Sequence, residues 1–165
     1  MLRVWLPAAA GVGVAVVLGV YARLHTPVPA GFLDVRAKVW LASAAAALAL
    51  LQLLSALSLY GRLPAFRGNA ATHRWTGRLA VLVSLPMAVH CLYVLGFSTA
   101  GPRTLAHSVF GCLFYGAFVT KMLLLSSPRA TRPWLLPLLG GLVLTTITGL
   151  WLTSAFWFLF LSGTP

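Results

Sequence analysis

Acidic side chains are almost absent from this sequence: Asp34 is the single carboxylate and glutamate does not occur. That inventory excludes paired-carboxylate glycoside hydrolysis, carboxylate-bridged di-metal centres and EF-hand calcium loops. It also excludes an Asp/Glu proton relay through a membrane. A GxGxxG turn, a P-loop and the HExxH of zinc proteases are likewise missing. Ser108 follows His107, but without the G-x-S-x-G elbow that exposes a hydrolase nucleophile. Cys91 and Cys112 form no CxxC and fall in apolar stretches, the setting of inert buried thiols.

What remains is a chain of 165 residues that is 60% hydrophobic and only 8% charged, with its charges falling between long apolar runs. Such a composition argues for a membrane protein, and the length suits one bundle. Crossing the hydrocarbon core takes roughly 20 apolar residues per helix. Val4 to Ala22, Val39 to Gly61 and Leu79 to Pro102 each run without a charge between basic residues. Thr104 to Leu125 is interrupted only by Lys121, and Trp134 to Leu161 follows the last charge. These runs are continuous rather than alternating, which excludes a barrel. The expected fold is therefore all-α: a polytopic integral membrane helical bundle forming one transmembrane domain over residues 1–165. Its five helices are expected at about 4–23, 38–60, 75–97, 104–125 and 134–161. Met1-Leu2-Arg3 and Val20-Tyr21-Ala22 give the first run some likeness to a signal peptide, yet its length and Trp5 favour a retained helix.

Lys and Arg in short loops set orientation. One side receives Arg3, Arg62, Arg67, Arg74, Arg78, Lys121, Arg129 and Arg132; the other receives Arg23, Arg36, Lys38 and Arg103. Eight against four predicts a cell-membrane protein with its N-terminus in the cytoplasm and its C-terminus outside. The net charge of +11 is then a matter of topology and anionic headgroups, not of nucleic acid.

Histidine supplies the candidate chemistry. His90 and His107 lie in uncharged stretches flanking the tight connection Ser98 to Arg103. An ionisable residue at membrane depth marks a functional site by default, and neutral imidazole ligates metals and haem iron. At a rise of 1.5 Å per residue, His90 lies roughly 10 Å and His107 roughly 5 Å below the outer ends of their helices. The pair is offset by about one turn, which two axial ligands tolerate if the helices splay. Gly111 follows His107 by one turn on the same face, and Gly77 follows His73 at the same spacing. A glycine there removes the side chain that would collide with a flat macrocycle. Arg74 and Arg78 are candidate partners for haem propionates. The plain alternative is that His90 and His107 join helices by hydrogen bonds to each other, to Ser108 or to Tyr93. His73 then anchors a helix at the interface, His25 is a solvated loop residue and Lys121 snorkels to the membrane surface.

His73-Arg74-Trp75-Thr76-Gly77-Arg78-Leu79-Ala80 resembles the H-R-x-x-G-R-L-A helix start of cytochrome b561-type domains. Gln52 and the basic, Pro-containing loop after it are similar to the preceding segment of that family. The resemblance covers Val39 to about Phe97 and implies a helical bundle holding b haem between histidines for transmembrane electron transport. More broadly, the HRW-GRLA segment, His90-Cys91 and Ala106-His107-Ser108 resemble an uncharacterised family of small actinobacterial membrane proteins. The first two helices carry no internal histidine, which leaves His73 without its cytochrome partner and points to one haem between His90 and His107.

The resulting expectation is a small cytochrome b561-like protein with haem b held by His90 and His107. Gly77 and Gly111 admit the ring, and His73, Arg74 and Arg78 are secondary contacts. It is a redox subunit without a substrate domain of its own, working with a quinone or membrane redox partner. Two other readings stay open. One is a non-enzymatic accessory or scaffold subunit of a larger membrane complex. The other is a copper or other metal carrier, with His90 and His107 as the metal ligands.

Overall fold

The computed structural model describes residues 2–25, 27–28, 31–126 and 133–162. Thr26, Pro29, Ala30, Arg129 and Arg132 lie outside the described residues, as does the side chain of Arg3. Helix α1 spans Leu2–Leu24, α2 Val35–Leu59, α3 Asn69–Leu95, α4 Pro102–Leu125 and α5 Leu135–Phe160. No strand occurs among the described residues. All five helices are long and apolar enough to cross a membrane, so the chain is an all-α, multi-pass bundle. The end carrying the α1–α2 and α3–α4 connections is termed the upper end.

Local chemistry sets the helix boundaries. The Asp34 carboxylate accepts the Ala37 N–H at 2.6 Å, so the only acid in the chain is spent as the N-cap of α2. Pro102 opens α4, where its missing N–H costs no intrahelical bond. Gly61 (φ 69°) and Gly68 (φ 86°) turn the chain between α2 and α3 in a region of backbone space that suits glycine. Helix α3 starts at Asn69 and not at about 75. Hydropathy marks where the membrane begins, whereas Ala70 and Ala71 are strong helix formers that extend the helix below it. His73 is consequently held in the second turn of α3.

Helix α2 packs most extensively on α3 and α1 on α4; α4 then packs on α5, and α5 closes back on α2. Lipid tails give helices no hydrophobic reason to associate, so close approach of small residues carries the packing. A Cβ on Gly116 would sit 2.6 Å from Gly11 O and 2.9 Å from the Ala15 Cβ, which fixes the α1–α4 crossing at backbone contact. A Cβ on Gly149 would overlap the Phe110 ring that seats α4 on α5. The buried centre is Ala45, Ala49, Phe114 and Ile147, so the alanine run of α2 is what lets the bundle close. Large apolar residues face outward instead: Trp40 is 75% exposed and Leu24 78%, surfaces that lipid covers and water would not tolerate. Helices α3 and α4, although consecutive, make at most marginal backbone contact.

Candidate functional site

The gap between α3 and α4 is a cavity of about 410 Å³ in the upper half of the bundle, with all five helices contributing to its walls. Its size falls in the range of about 300–1,000 Å³ typical of small-molecule and cofactor sites. The lining is almost wholly apolar. At its floor Ser84 of α3 and Tyr115 of α4 share a hydrogen bond of 2.8 Å. Two π-helical turns widen its walls: Cys91–Leu95 ends α3, and Leu152–Phe156 interrupts α5. Cys91, Leu95, Thr153 and Ala155 from these turns line the space. A π-turn inside a helix commonly accompanies a functional site. The upper end of α3 is tied to α1, since Phe97 N–H donates to Ala22 O at 2.8 Å. Gly96 (φ 68°) brings that connection so near that a Cβ would lie 3.0 Å from the same carbonyl.

His107 lines this cavity. Its Nδ1 is 3.0 Å from Thr153 Oγ1, and that hydroxyl already donates its one proton to Gly149 O at 2.7 Å. Thr153 therefore accepts from the imidazole, which assigns the proton of the neutral ring to Nδ1. Among the described residues Nε2 has no hydrogen-bond partner, the arrangement in which a second group orients a metal-binding histidine. Gly111, one turn along α4, also lines the cavity; a Cβ there would meet nothing closer than Leu150 Cδ2 at 3.9 Å.

Two cations stand at the same cavity. Arg103 donates to Thr153 O at 2.7 Å and lies 4.0 Å over the Trp157 ring. Thr153 thus holds both His107 and Arg103. Lys38 lines the cavity from α2 and donates to His90 Nε2 at 3.3 Å. That bond puts the His90 proton on Nδ1, which is buried without a partner among the described residues. The His90 ring is 2% exposed and packed edge-on to Phe32, and Gly31 passes so near that a Cβ would sit 3.1 Å from His90 Cε1.

His90 and His107 are therefore not brought together as an opposed pair. The α3 residues that face the cavity are Ser84, Met87, Ala88, Cys91, Leu92 and Leu95, one helical stripe. His90 lies about 120° round the helix from the middle of that stripe. Nor do the two rings bond to each other, to Ser108 or to Tyr93: His90 meets Lys38 and His107 meets Thr153. Depth along a helix is readable from sequence, whereas the direction a residue faces depends on which neighbour its helix packs against.

The chain belongs to DUF6529, a family of unknown function. That family matches residues 4–165, so the resemblance covers essentially the whole chain. No curated protein and no solved structure matches it.

The motif at His73 in this DUF6529 chain builds a polar clamp at the lower end. Gln52 donates through Nε2 to His73 O and, at 2.9 Å, to Thr76 Oγ1. Ser55 shares a hydrogen bond of 2.9 Å with His73 Nδ1. Gly77 makes room for this amide, because a Cβ there would lie 2.7 Å from Gln52 Nε2. The space beside Gly77 is occupied by Gln52, and no macrocycle is needed to explain that glycine. Arg74 and Arg78 are exposed at the same lower end, with Arg78 5.3 Å over the Trp75 ring, so neither reaches the cavity of His107. His25 stacks on Tyr21 at 5.2 Å between ring centres and meets Tyr93 edge-on, so it is packed instead of solvated. Among the described residues no three His, Cys, Asp or Glu side chains gather as a metal site. Sequence reasoning overlooked Thr153 and Lys38. The only signal for Lys38 was its being a basic residue beside an apolar run without an acid to pair with.

Proposed function

We propose that this is a small membrane electron-transfer protein that holds b haem in the upper cavity through His107. The observation that carries the reading is an imidazole with Nδ1 committed to Thr153 and Nε2 without a partner among the described residues, on the wall of an apolar cavity of about 410 Å³. The donor chemistry suits that group. The apolar walls match a macrocycle, Gly111 leaves its α4 face open, and Lys38 and Arg103 are cations on the same cavity. His107 would supply a nitrogen donor to the iron; Met87 and Cys91, on the α3 wall, carry the sulfur donors there. Bound haem supplies one-electron chemistry, while the residues of the chain hold it, orient it and keep water out. His90, turned to Lys38, is not among the residues that hold the ring.

The excess of basic residues at the lower end, Arg62, Arg67, Arg74, Arg78 and Lys121 against Arg23, Arg36, Lys38 and Arg103, supports an outward-facing cavity in the cell membrane. A quinone or a membrane redox partner would be the electron donor or acceptor, since the chain has no nucleotide-binding motif of its own.

The test is a pyridine haemochrome assay on protein purified from a haem-replete host. The expected result is one b haem per chain in the parent and none in His107→Ala, with both proteins folded by circular dichroism. Folded, colourless parent protein would rule the reading out.

A further inference from the structure

Among the described residues, no acid pairs with the cations at the cavity. Lys38 and Arg103 line an apolar space, and the one carboxylate side chain, Asp34, is used by Ala37 N–H at the start of α2. Lys38 is part-buried, where a cation is costly unless paired with an anion, and Arg103 is exposed at the rim of the same space. Neither residue is free to swing away. Lys38 is held by a neutral ring, His90 Nε2, which takes one of its three donors and no charge. Arg103 is held by the Thr153 carbonyl and the Trp157 face, which take one N–H and again no charge. Both cations are thus held with donors to spare and, among the described residues, without a counter-ion. His90 itself is held firmly: it is almost fully buried, packed on Phe32 and crowded by Gly31, at the cost of an Nδ1 without a partner among the described residues. A buried polar atom without a partner is costly, so a histidine that tolerates it calls for an explanation, and the fixed Lys38 supplies one.

We infer that the cavity selects an amphipathic carboxylate: an apolar body between α3 and α4 whose carboxylate groups are bound by Lys38 and Arg103, with His90 as the positioning residue for Lys38. This deepens the haem reading and rests on it for the source of the carboxylates, which are then the propionates. A long-chain fatty acid presents the same chemistry from a second source.

The test uses the purified full chain in detergent with three probes. These are hemin, its dimethyl ester with both carboxylates capped, and a fluorescent long-chain fatty acid. The expected result is that Lys38→Gln and Arg103→Gln each weaken hemin binding about tenfold, the loss typical of one charge-assisted hydrogen bond. Binding of the ester stays unchanged, and Lys38→Arg restores hemin binding. His90→Gln lowers affinity for hemin but not for the ester, a difference that a general loss of packing does not produce. If hemin and ester bind the parent equally and Lys38→Gln alters neither, while His107→Ala abolishes both, the carboxylate site is overturned and the haem reading stands. If hemin does not bind but the fatty acid does, through Lys38 and Arg103, the haem reading fails and the carboxylate site holds. If neither binds, both fall.

Discussion

His73 with Gly77 and His107 with Gly111 have the same spacing on neighbouring helices, yet the two pairs do different work. At the lower end the glycine is filled from across the interface: Gln52 occupies the space and bonds to His73 O and Thr76. At the upper end nothing fills it, and Gly111 opens on the cavity with its nearest neighbour at 3.9 Å. The imidazoles differ in the same way. His73 Nδ1 is matched to Ser55 in a clamp between α2 and α3. His107 is oriented by a threonine from a π-turn, with no partner for the other nitrogen among the described residues. A repeated motif is thus a helix lock where a partner side chain enters and a binding wall where the partner helix stands off.

Substitutions that exchange the two glycines' neighbours break this contrast most sharply. Gly77→Leu drives a side chain into Gln52 and should destabilise the fold by about 2–3 kcal/mol in thermal or denaturant unfolding. Gly111→Leu enters open space and should leave stability nearly unchanged while abolishing haem binding. Equal destabilisation by both would erase the distinction. Removing the clamp is the next effect in size. Gln52→Leu removes both of its bonds to α3, while Thr76 keeps its own bond to Thr72 O, and should cost about 1 kcal/mol with no change in the visible spectrum. Thr153→Val keeps the shape but releases the His107 ring. It should weaken haem binding about tenfold, as loss of an orienting group does, and leave the melting temperature within a few degrees of the parent. The smallest effect is expected at Arg78. Replacing it by alanine removes only an exposed contact with Trp75, so spectrum and haem content should match the parent.

Much of the fold was readable from composition because hydropathy is a property of each residue and needs no tertiary context. Arg62 and Arg103 mark the ends of apolar runs whichever way the helices pack. The start of α3 was not readable this way, since Asn69 to Thr72 are helical but lie outside the long apolar run, cut off from it by His73, Arg74 and Arg78. For the site, spacing revealed that His107 and Gly111 share a face, a matter of one helix. That Lys38 reaches His90, or that Thr153 orients His107, depends on contacts across 52 and 46 residues of sequence. The π-turns at Cys91–Leu95 and Leu152–Phe156 also leave no local trace, and they shift the facing of every residue beyond them. His90 and His107 could be placed at similar depths from sequence; their separation onto different faces required the packing of α3 on α2.

The most direct test of the account is the reduced-minus-oxidised visible spectrum of the parent protein beside His73→Ala, His90→Ala and His107→Ala, all from a haem-replete host. The account expects a b-type spectrum that survives in the first two variants and vanishes in His107→Ala alone. A spectrum that persists without His107, or one that disappears with His73, would contradict it.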